Sequence, residues 1–382
     1  MADARGPSLH IGVDARELLG QPTGVGRFLA RVLQAWSESP TFRHRVSLFL
    51  PSAAPEWAAR LGSQFSLVVD SHDPAARGSS GFPRVQSSGT IWEQTRLPRI
   101  AARTGVDVLF CPGYTAPLWP TCPTVVVIHD VSFFAHPEWF ALRERLRRQW
   151  ITRSSARRAA VVITVSEFSA KEIQKWLGVT PDRVRVIRHG SPDVTPGTGI
   201  TRKPLVLFVG SLFNRRHLPE MIAAFARVVT RVPDARLVLV GDNRTTPRQH
   251  PQALASAAGI GASVEWRRYV DDEALNQLYE QARVFMFLSD YEGFALTPLE
   301  ALAHGAPSVL LDTPVAREVY GSAARYVSPD PDRIAGALVD LLTDETARAR
   351  LLADGERLLR ESTWSRTAAE VIAAIEEAAP RS

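Results

Sequence analysis

A rhythm of short apolar runs constrains the fold more than any other feature of this sequence. Residues 9–16, 45–50, 66–70, 107–110, 124–128, 160–165 and 183–187 read as strands, with helical or loop segments between them. Several are apolar almost throughout, as expected of strands in a parallel sheet covered by helices on both faces. After residues 189–201, which have the composition of a linker, the rhythm restarts with strands at 205–210, 235–241, 283–288, 308–311 and 324–327. At 382 residues, 45% apolar and 22% charged, the chain can build two such cores.

The first half opens as strand, glycine turn and helix, the start of a Rossmann-like unit. Gly24-Val-Gly26 forms the turn, and Val25, Phe28, Leu29, Val32, Leu33 and Trp36 mark the apolar face of the helix. The turn is too short for a dinucleotide fingerprint. Residues 71–89, rich in Ser, Gly and Pro, read as a loop. His129 and Asp130 follow the run 124–128, at the end of a strand where open α/β sheets place ligands. Ser166 reads as a helix cap.

In the second half, Gly210 closes a strand, and Arg215 and Arg216 stand just before a helix over 218–232. Facing a diphosphate, such arginines would neutralise a leaving group; in a solvated turn they would do no more than hold water. Asp330 and Asp332 lie between a strand and a helix, where Asp is ordinary capping chemistry, so no metal site is read there. The densest stretch is 289–307, S-D-Y-E-G-F-A-L-T-P-L-E-A-L-A-H-G-A-P. Thr297 is expected as N-cap, Pro298 as first helical residue and Glu300 as the capping-box residue. Glu292 and Glu300 then flank backbone N–H groups that feed a helix N-terminus, a ready place for an anion. From the residues alone, Glu300 is equally a cap and Glu292 a solvated loop charge.

Composition narrows the function classes. No apolar run is long enough to span a bilayer, and the first residues lack the apolar core of a signal peptide. Cys111 and Cys122 have neither metal-ligand nor redox spacing, so a reducing, cytoplasmic setting is expected. Net charge is +5, and seven arginines fall between Arg143 and Arg158. Leu142, Leu146 and Trp150 share one helical face within that stretch, and this face is expected to pack on its own domain. The sharper alternative is a dock for an anionic acceptor or for the anionic inner face of a membrane. Nucleic acid is not expected as a partner, since no aromatic stacking platform accompanies the charge.

The stretch E-G-F-A-L-T-P-L-E-A-L-A-H-G-A-P resembles the E-x7-E signature of retaining glycosyltransferase family 4, whose fold is GT-B. Three further segments match in order: the glycine loop, I-H-D-V-S-F-F-A-H-P-E-W-F, and G-S-L-F-N-R-R. The resemblance implies an α/β chain of two Rossmann-like domains facing a central cleft. Residues 1–192 would form the acceptor-side domain, 193–203 a linker and 204–362 the nucleotide-sugar domain. A C-terminal helix within 363–382 would pack back toward the N-terminal domain.

By the same resemblance Glu292 lies by the donor sugar, Glu300 holds the ribose hydroxyls and His129 contacts the donor hexose. Arg215 and Arg216 clamp the donor phosphates, Arg216 standing where the family usually has Lys. Gly24 and Gly26 approach the diphosphate, and the backbone of Val270 reads the base. Gly210, Gly293, Phe294, Ala295, Leu296 and Thr297 complete the donor site.

The implied activity is metal-independent, retaining transfer of a hexose to a glycan, lipid-linked or small-molecule acceptor, without a resident cofactor. GDP-mannose is the leading donor, by resemblance to mannosyltransferases of polysaccharide assembly, with UDP-sugars also open. The rival readings are a GT-B epimerase or hydrolase acting on the donor alone, and a non-catalytic nucleotide-sugar-binding protein.

Overall fold

The computed structural model describes residues 8–20, 24–70, 85–192 and 202–380, with 85–88 as backbone only. Residues 71–84 of the expected loop, 193–201 of the expected linker and 21–23 ahead of the glycine turn lie outside the described residues. The chain divides into two compact units, Met1–His189 with Trp364–Ser382, and Gly190–Thr363.

The strands of the first unit are β1 (His10–Asp14), β2 (Arg45–Leu50), β3 (Phe65–Val69), β4 (Val108–Cys111), β5 (Thr124–Val127), β6 (Val161–Thr164) and β7 (Val184–Val186). Its helices over the same stretch are α1 (Gly24–Glu38), α2 (Val85–Thr95), α3 (Leu97–Thr104), the single turn α4 (Ser132–Ala135), α5 (Leu142–Arg158) and α6 (Glu167–Leu177). All seven strands are parallel, in the order β3-β2-β1-β4-β5-β6-β7, with Val13 opposite Leu48 on one side and Phe110 on the other. Alternation along β5 divides the core in two. Val125 and Val127 face Phe28, Leu29 and Trp36 of α1, while Val126 and Ile128 face Trp92, Phe133 and Ile173. Cys111 is fully buried in the second of these clusters.

Two expectations are corrected in this unit. Residues 85–89 are helical rather than loop, because α2 is anchored inward by buried Trp92 and Glu93, and tertiary contact overrides composition. The face of α5 carrying Leu142, Leu146 and Trp150 does not pack on its own domain: these side chains are 59%, 52% and 62% exposed. The buried residues of α5 are the smaller Ile151, Thr152, Ser155 and Ala156. Their size lets the helix approach closely, and Ser155 Oγ both accepts from Ala116 N and donates to Ala116 O, each at 3.0 Å.

The strands of the second unit are β8 (Leu205–Val209), β9 (Arg236–Val240), β10 (Val264–Arg267), β11 (Val284–Phe287), β12 (Ser308–Leu311) and β13 (Ala324–Val327). They are parallel, in the order β10-β9-β8-β11-β12-β13. The helices are α7 (Leu218–Arg231), α8 (Pro251–Ala257), α9 (Asp272–Gln281), α10 (Leu296–Ala303), α11 (Pro314–Tyr320), α12 (Pro331–Thr343) and α13 (Glu345–Glu361). Asp330 caps α12 by accepting Arg333 N–H, as Ser166 caps α6 by accepting Ser169 N–H. The last helix, α14 (Trp364–Ala378), belongs to the first unit: Trp36 Nε1 donates to Ala368 O at 2.9 Å, and Val371 and Ile375 join the core beneath α1.

Each sheet reverses its strand order once, between β1 and β4 and between β8 and β11. Such a switch opens a crevice at the carboxyl ends of the two strands that flank it. No helix among the described residues is long and apolar enough to cross a membrane.

Candidate active site

In the second unit the switch falls between the loops that leave β8 and β11, and those loops carry the two arginines and Glu292. Arg215 and Arg216 lie on a 3-10 turn, Asn214–Arg216, just ahead of α7. Arg216 Nη2 reaches Glu292 Oε1 at 2.8 Å, and Arg215 Nη2 stands 3.9 Å from the same oxygen. Arg216 Nη1 donates to Ser211 O at 2.8 Å, and its guanidinium lies 4.6 Å from the centre of the Phe287 ring. Its Nε is buried with no hydrogen-bond partner among the described residues. Burial pulls the Arg216 pKa down, and Arg215 adds to this, while Glu292 pushes it back up. Gly210 makes room for the arrangement: its φ is +144°, and a Cβ there would stand 2.4 Å from Arg216 Nη1.

The two loops are tied again one step outward. His217 Nε2 meets Asp290 Oδ1 at 2.8 Å, and Asp290 N donates to Arg215 O at 3.1 Å. Ser289 Oγ donates to Glu292 Oε1 at 2.8 Å. Gly293 and Phe294 are buried beyond it.

Helix α10 does not start as expected. Thr297 is not its N-cap: Ala295 holds that place in the left-handed conformation (φ 64°), with no side-chain cap bond, and Leu296 is the first helical residue. Pro298 is still tolerated, because it falls in the first turn, where backbone N–H groups have no partner within the helix. Tyr320 OH donates to Ala295 O and fixes the turn. Glu300 sits in the next turn, where its Oε2 accepts from Tyr279 OH at 2.9 Å. Val270 lies on a separate loop between β10 and α9, next to the cap that Asp271 forms on α9.

In the first unit, His129 follows β5. Its Nε2 lies 3.0 Å from Pro112 O, and a carbonyl can only accept, so Nε2 carries the proton and Nδ1 is the acceptor nitrogen. Phe28 packs edge-on to the ring at 5.3 Å, and His189 lies nearly parallel at 5.6 Å. Burial lowers the pKa of His129; burial, then the neighbouring His129, takes His189 well below its usual value. Tyr114 OH donates to Asp130 Oδ2 at 2.8 Å. Gly24 and Gly26 form the first turn of α1 rather than a turn ahead of it, Gly24 exposed and Gly26 buried. Gly24 has φ +35°, and a Cβ there would meet nothing within 4 Å, so this glycine serves the backbone turn into the helix rather than close packing.

Beside β1 lies a cluster with the opposite charge pattern. Arg16 Nη2 stands 2.6 Å from Asp14 and 2.9 Å from Glu93, and both carboxylates are buried. Burial pushes the Glu93 carboxyl up, and Arg16 offsets part of that rise.

Three described residues other than glycine have positive φ: Tyr114, His217 and Ala295. All three lie on these loops, and strain of this kind, on the order of 1–3 kcal/mol each, concentrates at functional sites. The structure therefore brings Gly210, Arg215, Arg216 and Glu292 together, with 293–297 leading from them to Glu300. Sequence reasoning missed Arg16, Glu93, Tyr114, Tyr279, Ser289 and the His217–Asp290 pair. It also placed His189 in the linker, whereas the ring is buried in the first unit against Phe28 and Trp364. A signal for His189 existed: it follows the run 183–187 much as His129 follows 124–128. Among the described residues, no group of three or more His, Cys, Asp or Glu is placed to hold a metal ion.

Residues 22–192 match the family model described as Glycosyltransferase Family 4, and residues 196–357 the model described as Glycosyl transferases group 1. The chain is 26% identical over 262 residues to the O-antigen chain mannosyltransferase B of Escherichia coli, covering 65% of this chain and 68% of that protein. It is also 26% identical over 264 residues to a GDP-mannose:cellobiosyl-diphosphopolyprenol alpha-mannosyltransferase of Xanthomonas oryzae pv. oryzae, covering 68% and 67%. It covers 33% of the longer serotype-specific mannosyltransferase WbdA of Escherichia coli. Among solved structures, sucrose-phosphate synthase from Thermosynechococcus elongatus superposes with a TM-score of 0.76 at 17% identity, over 96% of this chain and 98% of that one.

Proposed function

We propose that this chain, a glycosyltransferase family 4-like protein with the GT-B fold, moves a hexose from a nucleotide-sugar to an acceptor hydroxyl with retention at the anomeric carbon. The observation that carries this reading is the Arg216–Glu292 pair at the β8/β11 switch, on the loop that runs into the N-terminus of α10. Arg215, Arg216 and the first N–H groups of α10 would receive the diphosphate, where negative charge builds as the glycosidic bond breaks. Glu300, oriented by Tyr279, would accept hydrogen bonds from the ribose hydroxyls.

Glu292 is engaged as the anchor of Arg216, and its Oε1 already accepts from Arg216 and Ser289. That favours a front-face course over a carboxylate nucleophile. The acceptor oxygen bonds to C1 on the face from which the phosphate oxygen departs, and the acceptor proton passes to that phosphate. Neutral His129 would take a hydrogen bond from a hexose hydroxyl at Nδ1. The arginines and the helix terminus supply the positive charge, so this reading requires no metal ion. GDP-mannose is the favoured donor, since the Xanthomonas relative is named for it. A lipid-linked or glycan acceptor is favoured on the same ground.

The test is thermal stabilisation by GDP, UDP, GDP-mannose and UDP-glucose in the presence of a chelator, repeated on Glu300→Ala. One nucleotide series is expected to raise Tm in the wild type and to lose most of that rise in the variant. No rise with any of them would remove the donor site. An NMR assignment of the product anomer then decides retention, and an inverted anomer would overturn that part of the reading.

A further inference from the structure

The exposed face of α5 has no role in the donor site. Along one line of that helix stand Leu142, Leu146, Trp150, Arg153 and Arg157, spaced four, four, three and four residues apart, as one outward face requires. The apolar members are more than half exposed. A shallow cavity of about 400 Å³ opens along the same face, lined by Leu146, Gln149, Trp150, Arg153, Arg157 and Arg158. The helix holds seven arginines and a single acidic residue, Glu144. Burial raises the Glu144 pKa, but Arg148 and Arg147 outweigh it and hold the carboxylate below its usual range. The loop that α5 grips through Ser155 and Ala116 carries another exposed ring, Trp119, at 74%.

We propose that this face of α5 docks on the surface of an anionic lipid bilayer. Leu142, Leu146 and Trp150 would enter the headgroup–acyl boundary, while the flanking arginines pair with lipid phosphates. Leu and Trp on one side of a helix with arginines around them is the pattern of an interfacial helix, and Trp is suited to the headgroup depth. Charge argues against the other occupants. A second copy packed face to face would set two arginine-rich helices against each other, and a purely apolar protein partner would strand the guanidiniums. An anionic leaflet offers fixed negative charge above an apolar layer, which is the order in which this face presents its own groups.

The experiment is co-sedimentation of the full chain with vesicles of phosphatidylglycerol and phosphatidylcholine, compared with phosphatidylcholine alone, at low and high salt. The wild type is expected to bind the mixed vesicles and to be released by salt. Two variants separate the contributions. Leu146→Ser with Trp150→Ser removes apolar contact, and Arg143→Glu with Arg158→Glu reverses charge. The second pair spares Arg153 and Arg157, which hold Trp176 O and Leu177 O and so support the fold. Each pair should lower the partition coefficient by about tenfold or more, with circular dichroism and Tm unchanged.

Equal binding to both vesicle types, no binding to either, or full binding by both folded variants would overturn the proposal. Sedimentation velocity supplies the remaining outcome: a dimer lost in the Leu146/Trp150 variant would assign the face to a second copy instead.

Discussion

The two units place opposite charge patterns at comparable points of comparable sheets. After β1 in the first unit, two buried carboxylates, Asp14 and Glu93, surround the single guanidinium of Arg16. After β8 in the second, the guanidiniums of Arg215 and Arg216 converge on the single carboxylate of Glu292. Both clusters lie at the strand end beside the topological switch. The sheet therefore fixes where a ligand is met, and the side chains decide its chemistry. An arginine-rich cluster suits a diphosphate, whereas a carboxylate-rich one suits groups that donate hydrogen bonds, such as the hydroxyls of a sugar.

The comparison breaks most sharply on removal of the arginines. Arg16→Ala would leave two carboxylates buried without their cation and should cost about 3–5 kcal/mol, seen as a fall in Tm on the order of 10 °C. Arg216→Ala leaves Arg215 within 3.9 Å of Glu292, so its stability loss should be smaller. Its loss in kcat should be larger, about 10²–10³-fold, as for removal of a group that meets developing charge. Measuring Tm and kcat for both variants tests the contrast. If Arg16→Ala keeps its Tm, or if Arg216→Ala keeps its rate, the two clusters do not have the division of labour drawn here.

A smaller effect sharpens the same comparison through glycine. A Cβ at Gly241, φ +143°, would stand 2.1 Å from Gly210 O, a backbone atom that cannot yield without moving the strand ends under Arg216. A Cβ at Gly12 in β1 would stand 2.6 Å from an edge atom of the Phe49 ring, which can turn away. Gly241→Ala should therefore cost about 3 kcal/mol and donor affinity with it. Gly12→Ala should cost about 1–2 kcal/mol of stability alone. Equal losses from the two in denaturant melts would show that the neighbour's freedom to move is not what decides.

Much of this fold was legible because buried strands announce themselves. The runs at 45–50, 308–311 and 324–327 coincide with β2, β12 and β13 to the residue. The meeting of Arg215, Arg216 and Glu292 was foreshadowed by the segments that carry them. Strand order was not legible, since pairings such as β1 with β4 join residues far apart in the chain. Nor was the Arg16–Glu93 contact, for the same reason. The start of α10 was misread because an alanine in the left-handed region leaves no mark in a sequence, while Thr-Pro imitates a cap. The inward face of α5 was misread because large apolar residues usually point inward; here small ones do, and the large ones are left in solvent.

The weakest expected effect is also the one in which the units should differ in sign. His217 has its pKa raised above 6.5, first by its hydrogen bond to Asp290, against partial burial, and with help from Glu220. Arg215 and Arg216 stand on the same turn, and Asp290 faces it from the loop after β11. The protonated ring is thus favoured by folding. Its contribution is complete below pH 6.5 and is lost as pH rises through the higher folded value. His129 and His189 are shifted the other way by burial among Phe28, Trp364 and Tyr114, with the hydrogen bond to Pro112 O and then Asp130 only partly restoring His129. Their contribution is complete above pH 6.5 and is lost as pH falls through the lower folded values. Two variants isolate the effects: His217→Asn, since Asn accepts the left-handed backbone, and His189→Phe, which keeps a ring in the buried stack. The Tm difference between wild type and His217→Asn should shrink by about 3 °C or less as pH rises from 6 to 9. Against His189→Phe, the wild type should lose ground as pH falls from 7 to 5. Parallel curves for the wild type and either variant would remove that histidine from the account, and curves of the same sign for both would remove the contrast between the units.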